Sequence, residues 1–316
     1  MAIEKRKVGQ SALEVSAIGL GCNNFGLRVD LEQTRAVVDH ALALGVTLFD
    51  TADRYGNPPG TSETYLGQVL GERRKSIVLA SKFGNPMDAS GQMQGASRRY
   101  IKIAVEASLR RLKTDWIDLY QMHRPDPTTP IEETLRALED LVRQGHVRYV
   151  GCSTLSAPEV VAAQVTAARF GLASFVSCQE RYSLLEREVE RDMMPAIAAH
   201  NLGLIPFSPL ANGLLTGKYR RGRPLPQGAR LSATPGLAER YLTERNWQTI
   251  ERLAAFCEAR GRTLLELAFG WLLQRPAVAS VIAGATTPEQ AAANVRAASW
   301  SLSREDMDEI DRLTAN

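Results

Sequence analysis

A parallel (β/α)8 barrel of the TIM type is the fold this 316-residue sequence predicts, and three observations predict it. Eight short apolar runs, rich in β-branched and aromatic residues, recur as strands buried on both faces require. Helical patterns lie between them, and seven runs end at 22, 50, 82, 122, 152, 178 and 207, spaced as a strand, a crossover helix and two loops demand. The rival, an open doubly wound sheet, asks for a Gly-x-Gly-x-x-Gly turn after its first strand. Gly19-Leu20-Gly21-Cys22-Asn23-Asn24 lacks the third glycine.

The elements follow in order. An alternating segment over 3–16, turning at Gly9-Gln10-Ser11, predicts an N-terminal β-hairpin that closes the barrel's bottom. Barrel strands are expected at 17–21, 46–49, 77–80, 117–120, 147–150, 175–177, 204–207 and 280–283. Helices are expected at 31–44, 62–71, 98–113, 130–144, 156–170, 186–200, 246–260, 263–274 and 288–298, with a C-terminal helix at 303–314. In 98–113, Ile101, Val105, Leu109 and Leu112 fall on one stripe. At 130–144, Thr129 and Glu132 have capping-box spacing, Pro130 takes the first turn and Gly145 stops the helix. Residues 208–245 are rich in Gly, Pro and Arg without periodicity, which predicts a long functional loop after strand 7. With neither internal repeat nor interdomain linker, residues 1–316 are expected to form a single domain.

Composition removes several classes of function. With 38 basic and 35 acidic residues and no basic run or stripe, nothing points to nucleic acid. No stretch approaches the roughly 20 apolar residues of a membrane span, and the charged start Met1-Ala2-Ile3-Glu4-Lys5-Arg6-Lys7 lacks a signal peptide's apolar core. Cys22, Cys152, Cys178 and Cys257 show no metal or disulfide spacing, so they read as reduced thiols of a cytoplasmic protein. The first three lie at or beside strand ends, where small buried hydrophobe, redox-sensing thiol and adventitious metal site are the readings.

Barrels carry their chemistry at the C-terminal ends of strands. Those ends offer Asp50, Asp53 and Tyr55, then Lys82, then His123 and Arg124. Lys82 follows closely on an apolar run, where an unpaired ammonium is costly, and Asp50 on the neighbouring strand can balance it. A lysine held there would lower the Tyr55 pKa from about 10 towards the range of a general acid. His123 could add a hydrogen bond to the same substrate oxygen. The set polarises and protonates a carbonyl but lacks an electron source, and the sequence offers no metal cluster, so a bound hydride donor completes it.

Phe49-Asp50-Thr51-Ala52-Asp53-Arg54-Tyr55-Gly56, Ala80-Ser81-Lys82-Phe83-Gly84 and Met122-His123-Arg124-Pro125-Asp126 resemble the three core motifs of the aldo-keto reductases. The resemblance runs from about Gly9 to Leu313. The stretch from His123 to Thr134 is similar to the branch holding the potassium-channel β subunits and related bacterial aldo/keto reductases. Some of those subunits carry Asn at the position of His123, so histidine here favours reductase chemistry.

What the resemblance implies is NADPH, with NADH as a second candidate, lying extended across the barrel mouth. Asp50, Tyr55, Lys82 and His123 would be catalytic, with Tyr55 the acid in a reversible reduction of an aldehyde or ketone to the alcohol. Ser153 and Gln179 would bind the carboxamide and Phe207 would stack on the nicotinamide, with Gly21, Cys22, Asn23 and Asp50 nearby. Ser208, Pro209, Leu210 and Gly213 belong to a stretch resembling the loop over the pyrophosphate, whose charges Lys218 and Arg230 would reach. Gly284, Thr286, Thr287, Gln290 and Asn294 resemble the adenosine 2′-phosphate and adenine site. There Thr286 and Thr287 replace the Lys or Arg of many relatives, and Ala293 replaces a Glu.

Phe25, Arg54, Asn85 and Arg124 are the expected substrate contacts. The two arginines either favour a sugar-like or anionic carbonyl compound or serve as structural ion-pair partners. A homo-oligomer is compatible with all of this. The alternative function is an NADPH-sensing regulatory subunit with vestigial reductase activity.

Overall fold

A strand buried on both faces needs helices on one side and a filled interior on the other. This chain supplies both by closing its sheet. The computed structural model describes residues 3–315. Strands β1 (Lys5–Lys7) and β2 (Glu14–Ser16) pair antiparallel as the expected hairpin. Eight parallel strands follow, one for each predicted run: β3 (Ile18–Gly21), β4 (Leu48–Asp50), β5 (Val78–Phe83), β6 (Ile117–Met122), β7 (Val147–Ser153), β8 (Phe175–Arg181), β9 (Gly203–Phe207) and β10 (Val281–Gly284). The sheet runs β10-β3-β4-β5-β6-β7-β8-β9. It closes where the Leu204 amide donates to the Ala277 carbonyl at 2.7 Å and the Ala279 amide donates to the Leu204 carbonyl at 2.8 Å. The result is a (β/α)8 barrel.

Two apolar layers hold it. Inside, Leu48, Ala80, Leu119, Ile205 and Ile282 pack together, and Val8, Leu13 and Val15 of the hairpin region plug them from below. Outside, the strands bury their other faces against α1 (Leu31–Ala43), α2 (Thr61–Leu70), α3 (Arg98–Leu112), α4 (Ile131–Arg143), α5 (Ala157–Phe170) and α6 (Met193–Ala199). After β9 come two short helices, α7 (Arg230–Ala233) and α8 (Pro235–Tyr241), then α9 (Glu244–Glu258) and α10 (Leu264–Leu273). After β10 come α11 (Pro288–Ala297) and the expected C-terminal helix α12 (Arg304–Thr314).

Three local expectations are corrected. The helix expected over 186–200 is a 3-10 turn at Glu188–Glu190 followed by α6. Pro195 is the reason, since a proline is tolerated only in a helix's first turn and α6 starts two residues before it. The capping box at Thr129 and Glu132 does not form, and Pro130 stands at the N-cap without a side-chain bond. Asp126 takes the Thr129 hydroxyl at 2.8 Å, while Glu132 accepts from Arg136 at 2.8 Å. The segment 208–245 is not structureless: it holds a 3-10 turn at Ala211–Thr216 as well as α7 and α8. These are single turns or little more, too short for helical periodicity to register.

Gly67 on α2 sits hard against the end of α3. A Cβ there would stand 2.3 Å from the Arg111 carbonyl oxygen and 2.7 Å from the Leu112 carbonyl carbon, both backbone atoms that cannot swing away. Gly67→Ala should therefore lose about 1–3 kcal/mol to overpacking, more than the roughly 1 kcal/mol that alanine gains in helix propensity. Urea unfolding checks this, and a midpoint equal to or above the parent's would refute the close contact.

Candidate active site

The barrel brings the four residues singled out for chemistry to one place. Asp50 ends β4 and Lys82 lies near the end of β5. Tyr55 is on the turn after β4, and His123 follows β6. The turn is pinned by the Asp53 amide, which donates to the Lys82 carbonyl at 3.1 Å, and by the Tyr55 amide, which donates to Ala52 at 3.2 Å.

Lys82 is fully buried. Its Nζ donates to Asp50 Oδ2 at 2.6 Å, to the Thr51 carbonyl at 2.9 Å and to the Tyr55 hydroxyl at 3.5 Å. Burial alone would lower this lysine, but Asp50 and then Tyr55 outweigh it and hold the ammonium above the ordinary value. The other oxygen of Asp50, Oδ1, accepts from the Gln179 amide at 2.9 Å and the Gln121 amide at 3.3 Å.

The Tyr55 phenol departs from expectation. Lys82 does pull its pKa down, yet burial pushes up more strongly, with Asp50 adding to the rise, so the group stands above 10. At neutral pH it keeps its proton. His123 meets Tyr55 edge to face, with ring centroids 5.6 Å apart. Burial, then the charges of Lys82 and Arg124, lower the imidazole to about 3. Its Nδ1 is buried without a partner, which leaves Nε2 as the atom available to the cavity.

A cavity of about 640 Å³ opens over this set. Tyr55, His123 and Asp50 line it, with Gly21, Cys22 and Asn23 at the end of β3. Ser153, Gln179 and Phe207 face it from β7, β8 and β9. The segment after β9 adds Ser208, Pro209, Leu210, Gly213, Lys218 and Arg230, and the β10–α11 corner adds Gly284, Thr286, Gln290 and Asn294. Thr287 is the one expected cofactor residue outside this wall. Its hydroxyl caps α11 by accepting from the Gln290 amide, and the Gln290 side chain accepts in turn from the Thr286 amide and hydroxyl.

None of the four expected substrate residues lines the cavity. Phe25 is wholly buried in the outer core, because the turn after β3 folds it inward. Arg54 and Arg124 are exposed and Asn85 is half-buried. Only Arg124 acts on the site, through its charge on His123.

Asp53 is also elsewhere: buried behind the turn, its Oδ2 accepts from the Tyr100 hydroxyl at 3.4 Å. The cysteines are all buried and free, and Cys152 and Cys178 lie on paired strands with sulfurs 3.6 Å apart. Burial, with Asp50, raises the Cys22 thiol. Its hydrogen bond to Cys178, and then burial, raise Cys152. Both stay protonated at neutral pH, which suits packing better than redox reactivity.

Sequence reasoning does not find Arg28 or Gln121, and it places Asn212 only within the stretch that resembles the loop over the pyrophosphate. Arg28 lines the cavity from the loop after β3 and donates to the Gly228 carbonyl at 2.9 Å across the mouth. Burial and then the Arg28 charge lower both Lys218 and Arg230, and among the described residues no carboxylate pairs with either. Asn212 lines the same wall, and its Nδ2 is buried without a partner. Around it the backbone is left-handed at Ser208 (φ 55°), Ala211 (45°), Asn212 (57°) and Gly213 (95°). Successive turns of that kind gather amides into an anion-binding concavity. Three cations and an orphaned amide donor over such a backbone make this wall a fit for a polyphosphate. Among the described residues no cluster of His, Cys, Asp and Glu could hold a metal, and no helix is long and apolar enough to cross a membrane.

This chain belongs to the aldo/keto reductase family, a family of oxidoreductases, which it matches over residues 17–315. It is 35% identical to L-glyceraldehyde 3-phosphate reductase of Escherichia coli (strain K12), over 99% of this chain and 93% of that protein. The oxidoreductase YrpG of Bacillus subtilis is 35% identical over 96% of this chain and 93% of its own length. A probable voltage-gated potassium channel subunit beta of Arabidopsis thaliana is 35% identical over 93% of this chain and 91% of its own length. The branch expected from the sequence is the one these relatives represent.

The imidazole gives a signed pH dependence. A histidine held near 3 when folded and near 6.5 when unfolded binds fewer protons in the native state, so its stability is complete above 6.5 and is lost as pH falls towards 3. Against His123→Asn, the wild type should lose ground between pH 7.5 and 5, measured by urea melts of both proteins. A difference unchanged across that range would mean that His123 titrates normally.

Proposed function

We propose that this protein reduces an aldehyde or ketone to the alcohol with NADPH as the hydride source, in one barrel domain spanning the chain. The observation that carries the reading is the convergence of a protonated Tyr55, a charged Lys82 and a neutral His123 at the floor of a cavity walled for a polyphosphate. When bound, the nicotinamide supplies hydride to the carbonyl carbon.

The chain's own residues do the rest. His123 Nε2–H donates to the carbonyl oxygen and polarises it, which only a neutral imidazole with its proton on that atom can do without adding a charge. Tyr55 gives its proton to the oxygen as negative charge develops there. Its raised pKa keeps the proton available, and the Lys82 ammonium stabilises the tyrosinate that remains. Asp50 keeps Lys82 charged inside the barrel. Reversal is the same path, with tyrosinate as the base.

For the cofactor, Gln179 commits its amide nitrogen to Asp50, which leaves its oxygen to accept from a carboxamide N–H beside Ser153. Phe207 offers the face for the nicotinamide. Arg28, Lys218 and Arg230 together exceed the two charges of a pyrophosphate, which favours the further phosphate of NADPH over NADH even without a cation at 286 or 287. Arg28→Gln should weaken NADPH binding about tenfold, the scale of one charged hydrogen bond, measured by quenching of protein fluorescence. An unchanged Kd would remove Arg28 from the site.

Similarity to L-glyceraldehyde 3-phosphate reductase supports a small anionic or polyhydroxylated aldehyde as substrate. The second reading, a cofactor-sensing regulatory subunit, draws on the likeness to potassium channel β subunits. NADPH oxidation followed against a panel of aldehydes separates them. Turnover is expected, and Tyr55→Phe should cut it by about 10²–10⁴ while NADPH affinity stays within about twofold. Binding without turnover of any aldehyde would support the regulatory subunit instead.

A further inference from the structure

The floor of the site rests on a polar layer that neither the motifs nor the proposed chemistry uses. Gln121 of β6, Gly151 of β7 and Ser177 of β8 are register partners across three adjacent strands. Gln121 and Ser177 are completely buried. The Gln121 Nε2 donates to Asp50 Oδ1 at 3.3 Å, so this side chain points into the barrel beneath the carboxylate. Ser177 stands two residues before Gln179, which also donates to Asp50 Oδ1, so strand alternation turns it to the same interior.

Gly151 lets the two meet. A Cβ at Gly151 would fall 2.4 Å from Ser177 Oγ and 3.3 Å from Gln121 Cγ, so both side chains flank the space above its α-carbon. On either side of that space sit two unsatisfied groups: Gln121 Oε1, which can only accept, and Ser177 Oγ, which can donate. Buried polar atoms left alone are costly, and these two have complementary needs.

We propose that Gln121, held by the Ser177 hydroxyl across the gap at Gly151, is a positioning residue that fixes Asp50 for Lys82. The two atoms make no direct bond in the structure, so one bridging water joins the hydroxyl to the amide oxygen. It orients the amide so that its N–H₂ faces Asp50 and its oxygen faces away. Asp50 then divides its two oxygens, Oδ2 to Lys82 and Oδ1 to the two glutamines. Without the Gln121 donor, Oδ1 is less satisfied and the carboxylate competes harder for the ammonium. Lys82 then stabilises the tyrosinate form of Tyr55 less, and the phenol pKa rises. The charged and titratable groups acting on Tyr55 are Lys82, Asp50 and Cys22; of these Asp50 accepts a hydrogen bond from Gln121, and Lys82 is its register partner on β5.

The test is Gln121→Met, which keeps the length and removes the amide, beside Ser177→Ala. The kinetic readout rests on the reductase reading above; the spectroscopic one does not. In protein labelled at the tyrosine Cζ with ¹³C, the Tyr55 signal is assigned from Tyr55→Phe and titrated. Its midpoint should move upward by about half a unit or more in Gln121→Met and by less, in the same direction, in Ser177→Ala. With a reducible aldehyde, kcat should fall about tenfold in Gln121→Met while KM and the NADPH Kd stay within about twofold. A Tyr55 titration unmoved in Gln121→Met, with the variant folded by circular dichroism, overturns the proposal whatever the enzyme reduces. An unfolded Gln121→Met passes the decision to Ser177→Ala, where an unmoved midpoint overturns it equally. Absence of turnover in the wild type, with the midpoint shifted as expected, would sink the reductase reading and leave this one standing.

Discussion

A lysine ammonium sealed inside a barrel is the constraint on which the rest depends. Removing an ion of that size from water costs several kcal/mol even after relaxation, and only a close counter-charge with further hydrogen bonds makes the arrangement tolerable. Asp50 at 2.6 Å and the Thr51 carbonyl at 2.9 Å provide them. The pair in turn requires β4 and β5 to be neighbours in parallel, with Leu48 opposite Val78 and Asp50 opposite Ala80. Barrel register and site electrostatics are therefore one requirement seen at two scales. Apolar packing below, from Leu48, Ala80 and Leu119, sets the height at which the charged layer sits.

The same burial sorts the protonation states. It raises the phenol, lowers the imidazole and, through Asp50, fails to neutralise the lysine. One low-dielectric floor thus holds a proton donor, a neutral hydrogen-bond donor and a fixed positive charge within a few ångströms. Had Lys82 alone governed Tyr55, the phenol would sit nearer its deprotonated form and be a poorer proton source.

Much of this is legible in the sequence because it is local in kind. Strand ends recur with the barrel's beat, and reactive residues at those ends, such as Asp50, Lys82 and His123, advertise themselves by interrupting apolar runs. Where competition between neighbours decides, the sequence misleads: Asp126 takes the Thr129 hydroxyl from the helix it was spaced to cap, and Pro195 moves the start of α6 past its apolar pattern. Long-range contacts leave almost no trace. Arg28 meets Gly228 two hundred residues on, and nothing at either position says so. Gln121 had a faint signal, a polar residue in phase with inward-facing Leu119, but its contact with Asp50 depends on the register of strands that only the fold fixes. The expected substrate residues lie outside the cavity wall for a related reason, since nearness in sequence to Tyr55 or His123 does not fix which way a side chain turns.

The cavity wall draws on both ends of the chain. Gly21 and Arg28 come from its first barrel strand and loop, Gly284 and Asn294 from its last strand and the helix behind it. β3 and β10 are hydrogen-bonded neighbours although some 260 residues of synthesis lie between them. A nascent chain on the ribosome therefore has no such pocket until the residues through Asn294 have emerged. Whatever binds there recognises only finished barrels, and its binding energy adds to the stability of the completed protein without favouring any partial one.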